Sequence, residues 1–159
     1  MRPLPPAAAA HLPGDRTGAA ALLGVALDDE WPLSDILDLM PVHAGRSTTE
    51  ARFSIWVMIE RETGTVVGDI GFFGPPNEAG EMETGYSVVP SRRGRGYATE
   101  ALGGLTRWAF EQPEVTAIAA GTDPANVVSQ RVLVRAGFRE TPAEPAERRW
   151  RLDRGASTR

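Results

Sequence analysis

Cysteine is missing from all 159 residues, which excludes disulfides, a thiolate nucleophile and cysteine-ligated zinc. Lysine is missing as well, so the Walker phosphate loop, which needs one, is excluded. Histidine occurs only at His11 and His43, far apart and in no metal-binding spacing, and the expectation is therefore that no metal is used. No apolar stretch approaches the ~20 residues that cross a bilayer. Met1 to Ala10 is rich in proline and alanine and lacks the apolar centre of a secretory signal. These absences together predict a soluble, cytoplasmic protein without a membrane partner. A net charge of -4 argues against a nucleic-acid partner, since binding phosphates takes a basic surface.

What is present suits one mixed core. The chain is 42% hydrophobic and 24% charged, enough for a single domain spanning residues 1–159. The N-terminal third reads as helical pieces at Ala7 to Leu12, Ala19 to Leu27 and Leu33 to Met40, the last capped by Ser34 and ended by Pro41. Phe53 to Glu60 and Val66 to Phe73, joined by Glu62-Thr63-Gly64, read as an antiparallel hairpin, and Glu81 to Val89 as a third strand closed by Pro90. Gly85 inside that strand suggests a bulge. Ala98, Ala101, Leu102, Leu105, Ala109 and Phe110 fall at helical spacing. Val115 to Gly121 follows as a strand, Pro124 to Arg135 as a helix and Arg148 to Leu152 as a last strand, so the fold class is α/β with a mixed, mostly antiparallel sheet. Trp56, Trp108 and Phe110 are expected in the core, and Trp31 between packed helices.

Between the third strand and the helix lies Pro90-Ser91-Arg92-Arg93-Gly94-Arg95-Gly96-Tyr97-Ala98-Thr99. Two glycines allow a sharp turn, and the start of a helix offers free N–H groups with a positive dipole end, a combination that binds phosphate. A dinucleotide fingerprint would require a third glycine where Thr99 stands, and an acidic residue after the next strand, whereas Glu114 precedes it.

Arg93-Gly94-Arg95-Gly96-Tyr97-Ala98 resembles the signature Arg/Gln-x-x-Gly-x-Gly/Ala of the GNAT acetyltransferase superfamily. Gly85 to Pro90, Ala98 to Leu102, and Asn126-x-x-Ser129-x-x-x-Leu133-x-x-Ala136-Gly137-Phe138 extend the resemblance, which is to the RimJ/RimL-like branch. Arg2-Pro3-Leu4 looks like the end of the family's first strand. The resemblance implies a GNAT fold whose sheet splays at the acyl-CoA site, with residues 1–50 on the acceptor side and 51–159 forming the sheet and acetyl-CoA-binding core. It implies that Val88 and Val89 offer backbone groups to the pantetheine arm and that the N–H groups from Gly94 through Arg95, Gly96, Tyr97 and Ala98 to Thr99 hold the pyrophosphate. Charge would come from Arg92, Arg93 or Arg95, and further cofactor contacts from Asn126 and Ser129. The reaction implied is acetyl transfer from acetyl-CoA to a primary amine, of a protein N-terminus or a small molecule, by direct attack. A homodimer is expected only as a habit of the class.

Such a transfer needs a deprotonated amine and a leaving thiolate. Glu83, then Glu81, are the candidate bases on the strand that borders the acyl site. Relatives place a tyrosine acid where this chain has Leu133, so Ser129, Tyr86, a water or unaided thiolate departure would have to serve. The acidic run Asp28, Asp29, Glu30 and Asp35 reads either as a lure for a cationic amine or as a solvated helix end. The other readings are a non-catalytic acyl-CoA-binding module and, from another class, a nucleotide- or nucleic-acid-binding α/β protein.

Overall fold

The structure is a computed structural model that describes residues 1–155. Eight strands and seven α-helices are found among the described residues, and both parallel and antiparallel pairings occur, as expected for a mixed α/β fold. The chain divides into two compact units, one made of residues 1–71 and 86–97, the other of residues 72–85 and those from 98 onward.

The first unit begins with β1 (Arg2–Pro3), a two-residue strand that pairs antiparallel with β3 (Ile55–Glu60). Helices α1 (Pro6–His11) and α2 (Arg16–Leu23) follow. The expected helix to Leu27 stops at Leu23 because Gly24 turns left-handed, with φ of 64°, and caps it. Ala26–Leu27 is instead strand β2, parallel to β4 (Thr65–Phe72). The single helix expected from Leu33 to Met40 is two, α3 (Ser34–Leu37) and α4 (Met40–Ala44). Pro41 sits in the first turn of α4, where its missing N–H costs nothing, so it starts a helix rather than ending one. Ser34 lies inside α3, and the capping position is Leu33. A short α5 (Thr48–Ala51), with a complete Ser47–Glu50 capping box, went unread in the sequence.

The β3–β4 hairpin forms as expected, with a register shift between Met58 and Ile59. Two glycines of β4 have neighbouring backbone where a side chain would stand. A Cβ on Gly68 would lie 2.3 Å from the Ser87 carbonyl oxygen, and one on Gly71 2.0 Å from that of Ser54. The core of this unit gathers Leu4, Leu12, Leu23, Trp31, Met40, Val57, Val66 and Val89. His43 is buried there with both ring nitrogens used, Nδ1 against Ser54 Oγ at 2.9 Å and Nε2 against the Leu4 carbonyl at 2.8 Å, and burial pushes its pKa down.

The second unit carries the first part of β5 (Glu81–Val88), α6 (Tyr97–Glu111) after its first residue, β6 (Ala117–Thr122), α7 (Val127–Arg135), β7 (Arg139–Thr141) and β8 (Arg148–Asp153). Strand β5 runs parallel to β6, and β8 runs antiparallel to both β6 and β7. Strand β7, too short to show a pattern, was not expected. Helix α6 buries Ala101, Leu102, Leu105 and Ala109 of the face its spacing predicts, whereas Ala98, Phe110 and the expected core residue Trp108 are only half-buried. Phe72 and Trp108 stack with centroids 6.3 Å apart, and buried Trp150 donates from Nε1 to Thr122 Oγ1 at 3.0 Å.

Candidate active site

The loop after β5 takes the shape its glycines suggest. Val89 is tied back by its N–H to the Val67 carbonyl at 3.0 Å, and a 3-10 turn, Pro90–Arg92, follows. Gly94 and Gly96 both adopt positive φ, 77° and 86°, a region that side chains disfavour, and a Cβ on either would meet nothing within 4 Å. Space is therefore free where each of these side chains would stand. The turn leads straight into α6 at Tyr97, so the N–H groups of Tyr97, Ala98 and Thr99 stand in the first turn of a 15-residue helix, without carbonyls upstream in the helix to receive them. This suits an anionic diphosphate such as that of coenzyme A.

The arginines of the loop are held mainly by carboxylates. Glu60, buried at the end of β3, accepts from Thr63 Oγ1 at 2.6 Å, from Arg92 Nη1 at 3.2 Å and from the Tyr97 hydroxyl, and Arg95 Nη1 lies 3.7 Å away. Arg92 Nε also donates to Asp28 Oδ2 at 3.1 Å, and the Ser91 N–H donates to Glu30 Oε2 at 3.0 Å. Arg93 donates from Nε to the Val88 carbonyl at 2.9 Å. The Thr63 hydroxyl, then that of Tyr97, then the two guanidiniums hold the Glu60 carboxyl below its ordinary range, and the bond to Glu60 pushes the Tyr97 phenol up. The acidic run thus has a job that neither sequence reading gave it: Asp28 and Glu30 pin the base of the loop. Only the long-range partners reveal this, and they leave no local signature in the sequence.

Trp31 is fully buried. Its backbone carbonyl accepts from Arg16, whose other nitrogen, Nη2, donates to the Asp28 carbonyl at 2.9 Å. The indole Nε1 donates to Asp69 Oδ2 at 2.9 Å, and Ser87 Oγ donates to the same oxygen at 2.9 Å. Burial raises the Asp69 pKa to about 7 against the lowering effect of both bonds, with the Asp35 carboxylate adding to the rise. Neither Asp69 nor Ser87 was singled out as a site residue from the sequence. An acidic residue inside the apolar run Val66 to Phe73 was the available signal.

In the second unit the candidate bases are ion-paired. Glu83 Oε1 lies 2.7 Å from Arg149 Nη1, and Glu81 bonds Arg151. Both arginines come from β8, and they reach β5 because β6 presents Ala117, Ala119 and Gly121 between them; a Cβ on Gly121 would lie 3.1 Å from Arg149 Nη1. Glu83 and Glu81 in turn raise the pKa of Arg149 and Arg151. The β5–β6 ladder runs from Glu81–Ala117 to Glu83–Ala119. Asn126 caps α7, its Oδ1 accepting from the Ser129 N–H at 3.0 Å, and Leu133 is fully buried. No cluster of three or more potential metal ligands occurs among the described residues, and no helix there is long and apolar enough to cross a membrane.

A glycine turn between a strand and a helix, in a mixed sheet of this kind, agrees with an acetyltransferase fold. The chain belongs to the GNAT acetyltransferase family: the family description "Acetyltransferase (GNAT) domain" matches residues 28–139. It is 32% identical over 119 residues to the uncharacterized N-acetyltransferase YjdG of Bacillus subtilis, covering 73% of this chain and 71% of that one. Further curated relatives are matched over about half their length. Among solved structures it resembles a GNAT-family acetyltransferase from Bacillus anthracis, with a TM-score of 0.62, 21% identity and coverage of 76% and 74%. It also resembles RimL, a ribosomal alpha-N-protein acetyltransferase in complex with coenzyme A, with a TM-score of 0.54, 16% identity and coverage of 60% and 59%. At these identities the two structures speak for the fold.

Proposed function

We propose that this chain is a cytoplasmic, RimJ/RimL-like N-acetyltransferase that moves the acetyl group of acetyl-CoA to a primary amine, of a protein N-terminus or a small molecule. The observation that carries this reading is the turn at Gly94 and Gly96, both with positive φ, leading into the N-terminus of α6. In this reading the N–H groups from Gly94 to Thr99 hold the pyrophosphate, and Val88 and Val89 offer backbone groups to the pantetheine arm. Arg93 and Arg95 are both exposed, and in this reading either turns its guanidinium to a phosphate. Asn126 and Ser129 at the start of α7 are further candidate cofactor contacts, on the resemblance of their sequence block alone.

The acetyl thioester supplies the electrophile, and direct attack by the amine asks only for placement and for removal of a proton. Glu83 and Glu81 serve as bases in this reading only by giving up Arg149 and Arg151. With Leu133 buried at the usual tyrosine position, the thiolate leaves unaided or with the help of Ser129; an ordinary thiol, with a pKa of about 8.5, is a competent leaving group.

The test is a thermal-shift titration with acetyl-CoA beside coenzyme A, ATP and NAD. A ligand that binds only the folded chain raises its stability by mass action. Acetyl-CoA is expected to stabilise the wild type and to leave Gly96→Glu unmoved, since that substitution puts a side chain and a carboxylate where φ is 86°. Stabilisation by ATP or NAD without acetyl-CoA would overturn the reading.

A further inference from the structure

Of the carboxyl groups on β4 and β5, Asp69 is the one held without a cation. The groups around it are the Trp31 indole, the Ser87 hydroxyl and Val57 opposite on β3, and the Asp35 carboxylate of α3 acts on it through space. Both hydrogen bonds converge on Oδ2. The indole can only donate, so it holds the carboxyl in one orientation. Ser87 differs: its hydroxyl can donate and accept, and it is partly exposed where Asp69 is 2% exposed. The serine is therefore the hydrogen-bond partner of Asp69 that is able to pass a proton on, and it stands on β5, the strand that leads into the turn at Gly94 and Gly96.

Resting on the acetyltransferase reading above, we propose that Asp69 and Ser87 form the proton relay that deprotonates the acceptor amine. The amine's N–H bond breaks as its proton passes to Ser87 Oγ, and the proton already on Ser87 moves to Asp69 Oδ2. An ammonium and a carboxylate become a neutral amine and a neutral carboxyl group, with Ser87 restored as a hydroxyl. The amine's freed electron pair is then the nucleophile. Asp69, whose pKa stands at about 7, is matched to take a proton near neutral pH and to release it afterwards. A proton placed on Glu83 or Glu81 would break an ion pair, whereas one placed on Asp69 relieves a buried charge. Ser87 touches the substrate in this scheme, and Asp69 acts through it.

Two measurements test the relay. The first needs no acceptor: the infrared band of a protonated carboxyl group, followed from about pH 5 to about pH 9. A group titrating near neutrality is expected in the wild type, absent in Asp69→Asn and displaced in Ser87→Ala; a carboxylate ionised throughout, or one indifferent to Ser87→Ala, would overturn the proposal. The second uses coenzyme A thiol release with a set of free-N-terminus peptides and small primary amines. Asp69→Asn and Ser87→Ala are expected to lower kcat roughly 100-fold and to lose the acid limb of the pH profile, while Ser87→Thr keeps that limb. Variants that are slower but keep the wild-type limb would make the pair purely structural and end the proposal. Stabilisation by acetyl-CoA is measured alongside; its absence in the wild type strikes the acetyltransferase reading, and its presence with an unchanged limb strikes the relay alone.

Discussion

Glu60 and Asp69 stand on the consecutive strands β3 and β4, both buried, and their surroundings drive their protons in opposite directions. Around Glu60 are the Thr63 and Tyr97 hydroxyls and the guanidiniums of Arg92 and Arg95, and they hold its carboxyl below the ordinary range. Asp69 has two neutral donors and a distant like charge, and its carboxyl is half neutral at about pH 7. Both accept hydrogen bonds that favour the charged form, and what differs is burial: it is the largest influence on Asp69 and outweighs both of its bonds, whereas at Glu60 the Thr63 and Tyr97 hydroxyls outweigh it, with Arg92 and Arg95 adding a smaller lowering. Glu60 uses its charge to hold a loop in place, whereas Asp69 is left able to change its own.

The largest expected effect that would break this comparison is on stability at alkaline pH. A folded-state pKa raised from 3.8 to about 7 makes a contribution that is fully present below 3.8 and is lost as pH rises through about 7. Asp69→Asn keeps the shape without the titration, so the gap between variant and wild type should grow across that window to about 4 kcal/mol in favour of the variant. Denaturant unfolding at a series of pH values measures it, and parallel curves would show that Asp69 does not titrate as described. Glu60 has the opposite sign: its lowered pKa makes a contribution present above 4.5 and lost as pH falls. Glu60→Gln should therefore flatten the acid side of the stability curve and bring the Tyr97 phenol back toward 10.0, a change visible in its ultraviolet titration. The smallest effect belongs to Trp31→Phe. Removing the indole donor withdraws one of the two bonds that favour the Asp69 anion, and its infrared titration should move up by a fraction of a pH unit.

The turn at Gly94 and Gly96 was legible in the sequence because everything that shapes it is local: two glycines, a preceding strand and the helical spacing from Ala98 to Phe110. The hairpin, α6 and the helix at Asn126 were legible for the same reason, as period and turn residues lie within a few positions of one another. The N-terminal helices were read with the wrong ends at Gly24 and Pro41, because each residue permits more than one role and the tertiary setting chose. Least visible were the pairings that join distant positions, Glu60 with Tyr97, Asp28 with Arg92, Asp69 with Ser87 and Glu83 with Arg149. A carboxylate in a sequence carries no mark of the partner it will meet, and the acidic run from Asp28 looks the same whether it is solvated or holds a loop.

The bare backbone of β4 has a consequence for how this gene can vary. Every missense change of a glycine codon adds at least a Cβ, and at Gly68 and Gly71 that atom would fall 2.3 Å and 2.0 Å from a carbonyl oxygen of adjoining main chain. No rotamer relieves such an overlap, since the Cβ precedes every side-chain torsion. In a saturation library these two positions should return glycine alone, whichever acceptor or cofactor is used for selection, because the requirement comes from the spacing of the chains and not from the chemistry they serve.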